Sequence, residues 1–380
     1  MTDLRLAGGQ PGRLAAHVSG TSDRGVRMSR AWASMAVIGA LAVGAAGCGS
    51  NDESSESKSS ASGAAAEAKK VKKIAIVTPE KRDDFGWNQQ GVEGAEAAAK
   101  GLGVQIEVAD GSGYDNVDPI LSQLSNDGAQ LIIAHASGYN ASASDVATKT
   151  NVPEVGWDNP KGLQPGLVSD AETQSQEGSY LAGVLAAKTS TSKTLGIVTS
   201  ADDTNWNKMS GGFIAGARSV EPAIKFLYAQ IGQAGYADSA GGKRVTKTVI
   251  AGGADVVFGM GDGSSFGMLQ AVEQAGGKAK FIDVIGDKSS IDKKKVLLSS
   301  VVWNFEPAYK QAIEQVNDGS FGKEGLSLDL ANGGISLLKT PQVDDAAWTE
   351  VEGVKQKITD GEVEIPLTAN KGEVQALLKK

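Results

Sequence analysis

The chain has 380 residues, enough for two domains, with 49 glycines, 5% aromatic residues and a formal charge of −8. That balance, without a basic stripe, excludes a nucleic-acid-binding surface. Its one cysteine excludes an intramolecular disulfide framework.

The first 27 residues have no signal character. Met28-Ser29-Arg30 then leads into a small-residue apolar run, 31–47, that ends Ala45-Ala46-Gly47-Cys48. A short positive region, an apolar run and small residues at the cut make a secretory signal, for which Met28 is a better start than Met1. The run is short and Gly/Ala-rich for a permanent bilayer span. Cys48 is either a stray thiol in a discarded segment or the lipidated first residue of a mature lipoprotein. The run resembles a lipobox, with Ala45 where leucine is usual, and a lipid there tethers the protein to the outer face of a membrane. Residues 48–71 are aperiodic and rich in Ser, Ala, Glu and Lys, which predicts a flexible linker.

Residues 72–380 carry the fold. Strands are expected at 73–78, 104–109, 131–134, 152–157 and 167–169, with helices at 92–100, 117–126, 142–149 and 173–188. After a short polar crossing at 189–193 the pattern restarts. Strands are expected at 194–199, 224–230, 255–259, 281–285 and 296–302, with helices at 208–220, 239–251, 266–275 and 307–317. The tail adds a strand near 335–338 and a helix near 346–358. Such alternation predicts an α/β fold with mostly parallel sheets flanked by helices. The expected lobes are 72–190 with C-terminal return segments, and 193–286.

The restart is visible in particular side chains. Asp83-Asp84-Phe85-Gly86-Trp87-Asn88 follows the first strand, and Asp202-Asp203-Thr204-Asn205-Trp206-Asn207 follows the sixth. Open α/β sheets bind ligands in the crevice beyond the carboxyl ends of their strands. Two Asp-Asp-x-x-Trp-Asn segments at equivalent places therefore predict two facing jaws, although Asp and Asn also favour helix starts. Trp87 and Trp206 can sandwich a planar ligand or cover the core. Asn88 offers a donor and an acceptor to a ligand edge, and Asp84 offers acceptors.

Further candidates lie at other strand ends. Gly261 and Asp262, in Gly259-Met260-Gly261-Asp262-Gly263-Ser264-Ser265, sit where a ligand can approach the backbone or where a tight turn is needed. This segment lacks both the dinucleotide spacing and the Gly-Lys-Ser/Thr of a phosphate loop. Asp158 and Asp287 end strands that point at the crevice, or cap the following helices. Catalysis has little support: His135 is the only histidine beyond the signal, no His/Cys cluster has metal-ligand spacing, and no cofactor is implied.

These segments carry a resemblance. Asp83-Asp84-Phe85-Gly86-Trp87-Asn88-Gln89 resembles the Asp-Asp-x-Ser-Phe-Asn-Gln signature of the basic membrane protein family, substrate-binding lipoproteins of ABC importers that include purine nucleoside receptors. Glu177-Gly178-Ser179-Tyr180-Leu181-Ala182-Gly183, Gly212-Phe213-Ile214-Ala215-Gly216 and Gly252-Gly253-Ala254-Asp255-Val256-Val257-Phe258 are similar to three more of its motifs. The resemblance implies a two-lobed type I periplasmic-binding-protein fold that closes on a purine nucleoside or nucleobase. By position, Trp87 takes the place of a stacking Phe. Asp84 and Asn88 fall on the base- or ribose-contacting motif, and Gly261, Asp262 and Asp287 fall near the far end of the pocket. Two departures stand out: Gly286-Asp287-Lys288-Ser289 replaces Gly-Val-Asp-x-Asp, and Val302-Trp303 replaces Lys-Arg, the basic ribose contact. The expected protein is a lipid-anchored, extracytoplasmic, monomeric binding subunit serving an ABC permease and ATPase. The alternatives are a sugar-binding protein of the same fold, a surface nucleoside hydrolase, or a sensor.

Overall fold

Short apolar runs become strands here because helices cover both faces of a parallel sheet, so no polar alternation is required. The computed structural model describes residues 70–232 and 235–380. The expected signal peptide, Cys48 and nearly all of the linker lie outside the described residues. The first half supplies β1 (Lys73–Val77), β2 (Gln105–Ala109), β3 (Ile132–Ala134), β4 (Glu154–Trp157) and β5 (Val168–Thr173). The second supplies β6 (Thr194–Thr199), β7 (Lys225–Gln230), β8 (Val256–Met260), β9 (Lys280–Ile285) and β10 (Leu297–Trp303), and the tail adds β11 (Leu326–Leu328) and β12 (Ile335–Leu337).

The strands form two sheets, β11-β5-β4-β3-β1-β2 and β12-β10-β9-β8-β6-β7. Every pairing is parallel except β10 with β12. Each half thus repeats one plan, and the tail sends one edge strand to each sheet. The second sheet runs past residue 286, where the sequence reading ended the second lobe, and takes in β10 and β12. The three-residue β11 and the C-terminal helix Lys371–Leu378 had no sequence-based expectation.

In each sheet the first strand of its half lies between the second and the third, β1 between β2 and β3, β6 between β7 and β8. The chain changes direction across the sheet there, which makes the ends of β1 and β6 topological switch points. Both Trp-bearing loops leave the sheets at these points. Their helices also start earlier than the apolar periodicity indicates, at Trp87 in place of residue 92 and at Thr204 in place of 208. The polar first turns hold few apolar residues for a periodicity to register.

The two halves meet through glycines. Helix Ser175–Thr189 packs along helix Thr204–Val220, and a Cβ at Gly183, Gly212 or Gly216 would strike the backbone carbonyl of Phe213, Gln176 or Tyr180 respectively. Two of the motifs that carry the family resemblance are therefore a close helix crossing, in which any larger side chain would force the halves apart.

Candidate ligand-binding site

The first jaw begins where β1 ends. Asp84 turns its carboxylate onto the helix that follows. Oδ1 accepts from the Gly86 and Gln89 amides at 3.0 Å each. Oδ2 accepts from the Asn88 amide at 3.0 Å and from Asn88 Nδ2 at 2.8 Å. These bonds satisfy the otherwise unpaired amides of the first turn. Trp87, the first helical residue, donates from Nε1 to the His135 carbonyl at 2.9 Å and stacks on the imidazole with ring centroids 4.2 Å apart. His135 is fully buried, and its Nε2 lies 2.9 Å from the Trp87 carbonyl. A carbonyl only accepts, so Nε2 carries the proton and Nδ1 accepts from the Tyr309 hydroxyl at 2.6 Å. Burial pushes the imidazole down to about 3, so it is a neutral buttress behind Trp87.

The second jaw repeats the device. Asp203 Oδ1 accepts from the Asn205 and Trp206 amides at 2.8 and 3.2 Å, and Oδ2 accepts from the Tyr236 hydroxyl at 3.0 Å. Trp206 is only 4% exposed and donates from Nε1 to Ser200 Oγ at 2.9 Å.

Each jaw reaches a carboxylate of the opposite half. The Trp87 amide points at Asp262 Oδ1, 3.4 Å away in the turn after β8. Asn205 Nδ2 donates to Asp158 Oδ2 at 3.2 Å, just beyond β4. The strand registers make Asp158 and Ile285 equivalent positions in the two halves, and both are left-handed, at φ +55° and +69°. For a β-branched residue such as Ile285 that conformation is strained.

Between the halves lies a cleft of about 320 Å³. Of the expected residues it brings together Trp87, Asn88, Asp158, Trp206 and Asp262. Asp84, Gly261 and Asp287 stand outside its lining. Asp84 is engaged by the helix amides described above. Gly261 serves a tight turn: its carbonyl accepts from Ser264 Oγ at 2.7 Å and from the Ser265 amide at 2.8 Å, and a Cβ there would collide with Ser264 and Ser200. Asp287 is exposed and accepts from the Ser289 amide at 2.7 Å. Its neighbour Lys288 turns inward, with Nζ 2.6 Å from Asp283 Oδ2 and donating to the Phe85 carbonyl at 2.9 Å; both side chains of the ion pair are fully buried.

Sequence reasoning missed Tyr114 and Tyr236 in the lining, and named Asn205 and Trp303 only as parts of a motif and a departure. Tyr114 follows β2 and Tyr236 follows β7, the same place in each half, so the internal repeat was the signal that could have found them. Burial raises the Asp158 carboxyl to about 6, with Asp203 adding to the effect and Lys208 opposing it. Burial likewise raises Asp262 to about 7, with Asp84 next in influence. No group of three or more His, Cys, Asp or Glu among the described residues is placed to hold a metal ion. No described helix is long and apolar enough to cross a membrane.

The model of a family described as ABC transporter substrate-binding protein, PnrA-like, matches residues 71–369. The chain belongs to this family. Among curated relatives of this PnrA-like chain, the ABC transporter nucleoside-binding protein BmpA of Lactococcus lactis is 28% identical over 218 residues, 52% of this chain and 60% of that protein. The chain thus spans less than two thirds of that relative's length. A purine-binding protein of Brucella abortus is 24% identical over 74% of this chain and 79% of its own length. In fold, an ABC transporter solute-binding protein from Conexibacter woesei superposes with a TM-score of 0.68 at 21% identity, covering 79% of this chain and all of that one.

Proposed function

We propose that this PnrA-like protein captures a purine nucleoside or nucleobase between its two halves and hands it to a membrane permease, as the extracytoplasmic, lipid-anchored subunit of an ABC importer. The observation that carries this reading is the pair of Trp-bearing loops, one at each switch point, lining a single aromatic and carboxylate-rich cleft. One face of Trp87 is covered by His135, and the ring still borders the cleft, so a flat ligand has an aromatic surface to stack on. The names of the Lactococcus and Brucella relatives support the same ligand class. Cys48 is the site proposed for the lipid anchor.

Binding couples to closure in this scheme. The cross-lobe bonds Trp87–Asp262, Asn205–Asp158 and Lys288–Phe85 exist only when the halves are together, and a ligand touching both jaws favours that state over an open one. No covalent step is needed.

Thermal melts against nucleosides, free purines, pentoses and hexoses test the reading. At roughly 100-fold excess over Kd a ligand adds about 2.7 kcal/mol, so the right class raises the melting temperature by several degrees. Shifts with sugars and none with purines would contradict it, as would release of free base from inosine.

A further inference from the structure

Among the described residues the cleft is lined by four that carry carboxylates, Glu80, Asp158, Asp203 and Asp262, and by no lysine or arginine. Of the two described lysines buried nearby, Lys288 is held by Asp283 and the Phe85 carbonyl, while Lys208 acts on Asp158 through space and makes no ion pair among the described residues. Asp203 is matched by its three donors. Glu80 is exposed to water, but Asp158 Oδ1 is shut off from solvent with no hydrogen-bond partner among the described residues, and Asp262 receives only the long bond from Trp87. Trp303 stands where the family resemblance leads one to expect a basic residue. Together with Trp87, Trp206, Tyr114 and Tyr236 it surrounds these carboxylates with aromatic rings. Aromatic faces attract cations through their quadrupole, more strongly where water is excluded. A buried carboxylate without a partner is costly until a cation or a strong donor meets it. A phosphorylated ligand would add charge of the wrong sign.

We propose that the cleft selects a flat ligand that carries a positive charge on its ring, such as an N-alkylated purine, over the neutral and phosphorylated forms of the same ring. This rests on the purine reading above and narrows it. The positive edge meets the Asp158 and Asp262 side chains that line the cleft, the ring lies against Trp87, and entry of the cation completes a charge balance that the protein alone leaves open.

The test is calorimetric titration of the wild-type protein at neutral pH with 1-methyladenosine and 7-methylguanosine, which carry positively charged rings, and with adenosine, guanosine and AMP. At least one methylated cation should bind about tenfold or more tightly than its neutral parent, and AMP more weakly than adenosine. Using two cations alkylated on different edges keeps a local clash from deciding the result. Asp158→Asn should shrink the cation-to-neutral ratio toward one. Neutral nucleosides binding as tightly as both cations would overturn the charge preference and leave the purine reading standing. Silence from the whole panel would overturn both.

Discussion

The two jaws share a backbone plan and differ in what they do with it. In each, an Asp three residues ahead of a Trp satisfies the helix amides, and an Asn follows the Trp. Yet Trp87 is half-buried, backed by a neutral His135, and its loop is gripped from the other half by Asp262 and by the buried cation Lys288. Gly286 allows the Phe85 carbonyl to approach so closely that a Cβ would collide with it. Trp206 is sealed within its own half, bonded to Ser200 and tilted against Trp303 with centroids 6.4 Å apart. The duplicated loop thus serves two ends: the first jaw joins the cleft to the contact between halves, and the second is chiefly a wall.

If that division is right, substitutions in the two jaws part company. Trp206→Ala empties a nearly closed site and should cost about 3–5 kcal/mol of stability, read from chemical denaturation. A small loss there would mean that the second jaw is not a packed wall. Lys288→Met leaves Asp283 buried without its partner, at a cost of about 3–5 kcal/mol. Adding Asp283→Leu should recover most of that stability, because an apolar pair can replace a buried ion pair, but not the grip on the Phe85 loop. Trp87→Ala should weaken ligand binding by about 2 kcal/mol, roughly 30-fold, and cost less stability than Trp206→Ala.

The carboxylates give a smaller, pH-dependent effect. Asp262 sits at about 7 in the folded protein against an ordinary 3.8. The folded state therefore holds an extra proton between those values, and stability falls as pH rises through that window. Asp262→Asn removes the dependence, so its unfolding free energy relative to wild type, read from denaturant titrations, should climb from pH 4 to pH 8 by on the order of 1 kcal/mol once solvent screening is allowed for. Ser200→Ala takes away the partner of the Trp206 indole and should cost about 1 kcal/mol or less.

Much of the fold was legible in the sequence because each buried strand is an apolar run ended by polar residues, and the Asp-Asp-x-x-Trp-Asn repeat marked both switch points. The tail was harder to read. β11 has three residues, too few for any periodicity, and it belongs to the first sheet only through pairing with β5. Of the strand-end candidates, Asp158 and Asp262 line the cleft and Asp287 stands outside it. The chain turns sharply at Ile285, in a left-handed conformation that a β-branched residue gives no reason to expect, and this carries Asp287 out to solvent and Lys288 into the interior. Asp84 shows the same limit from the other side. An Asp just ahead of a helix serves equally as a cap or as a ligand contact, and only the geometry of its four bonds places it as a cap.

The most direct test of the divided jaws is isothermal titration of a purine nucleoside into wild type, Trp87→Ala and Ser200→Ala, with folding of each checked by its melting curve. The account predicts a roughly 30-fold loss of affinity for Trp87→Ala and affinity within a few-fold of wild type for Ser200→Ala. Equal affinity in all three proteins would contradict it, and would reduce Trp87 to a packing residue.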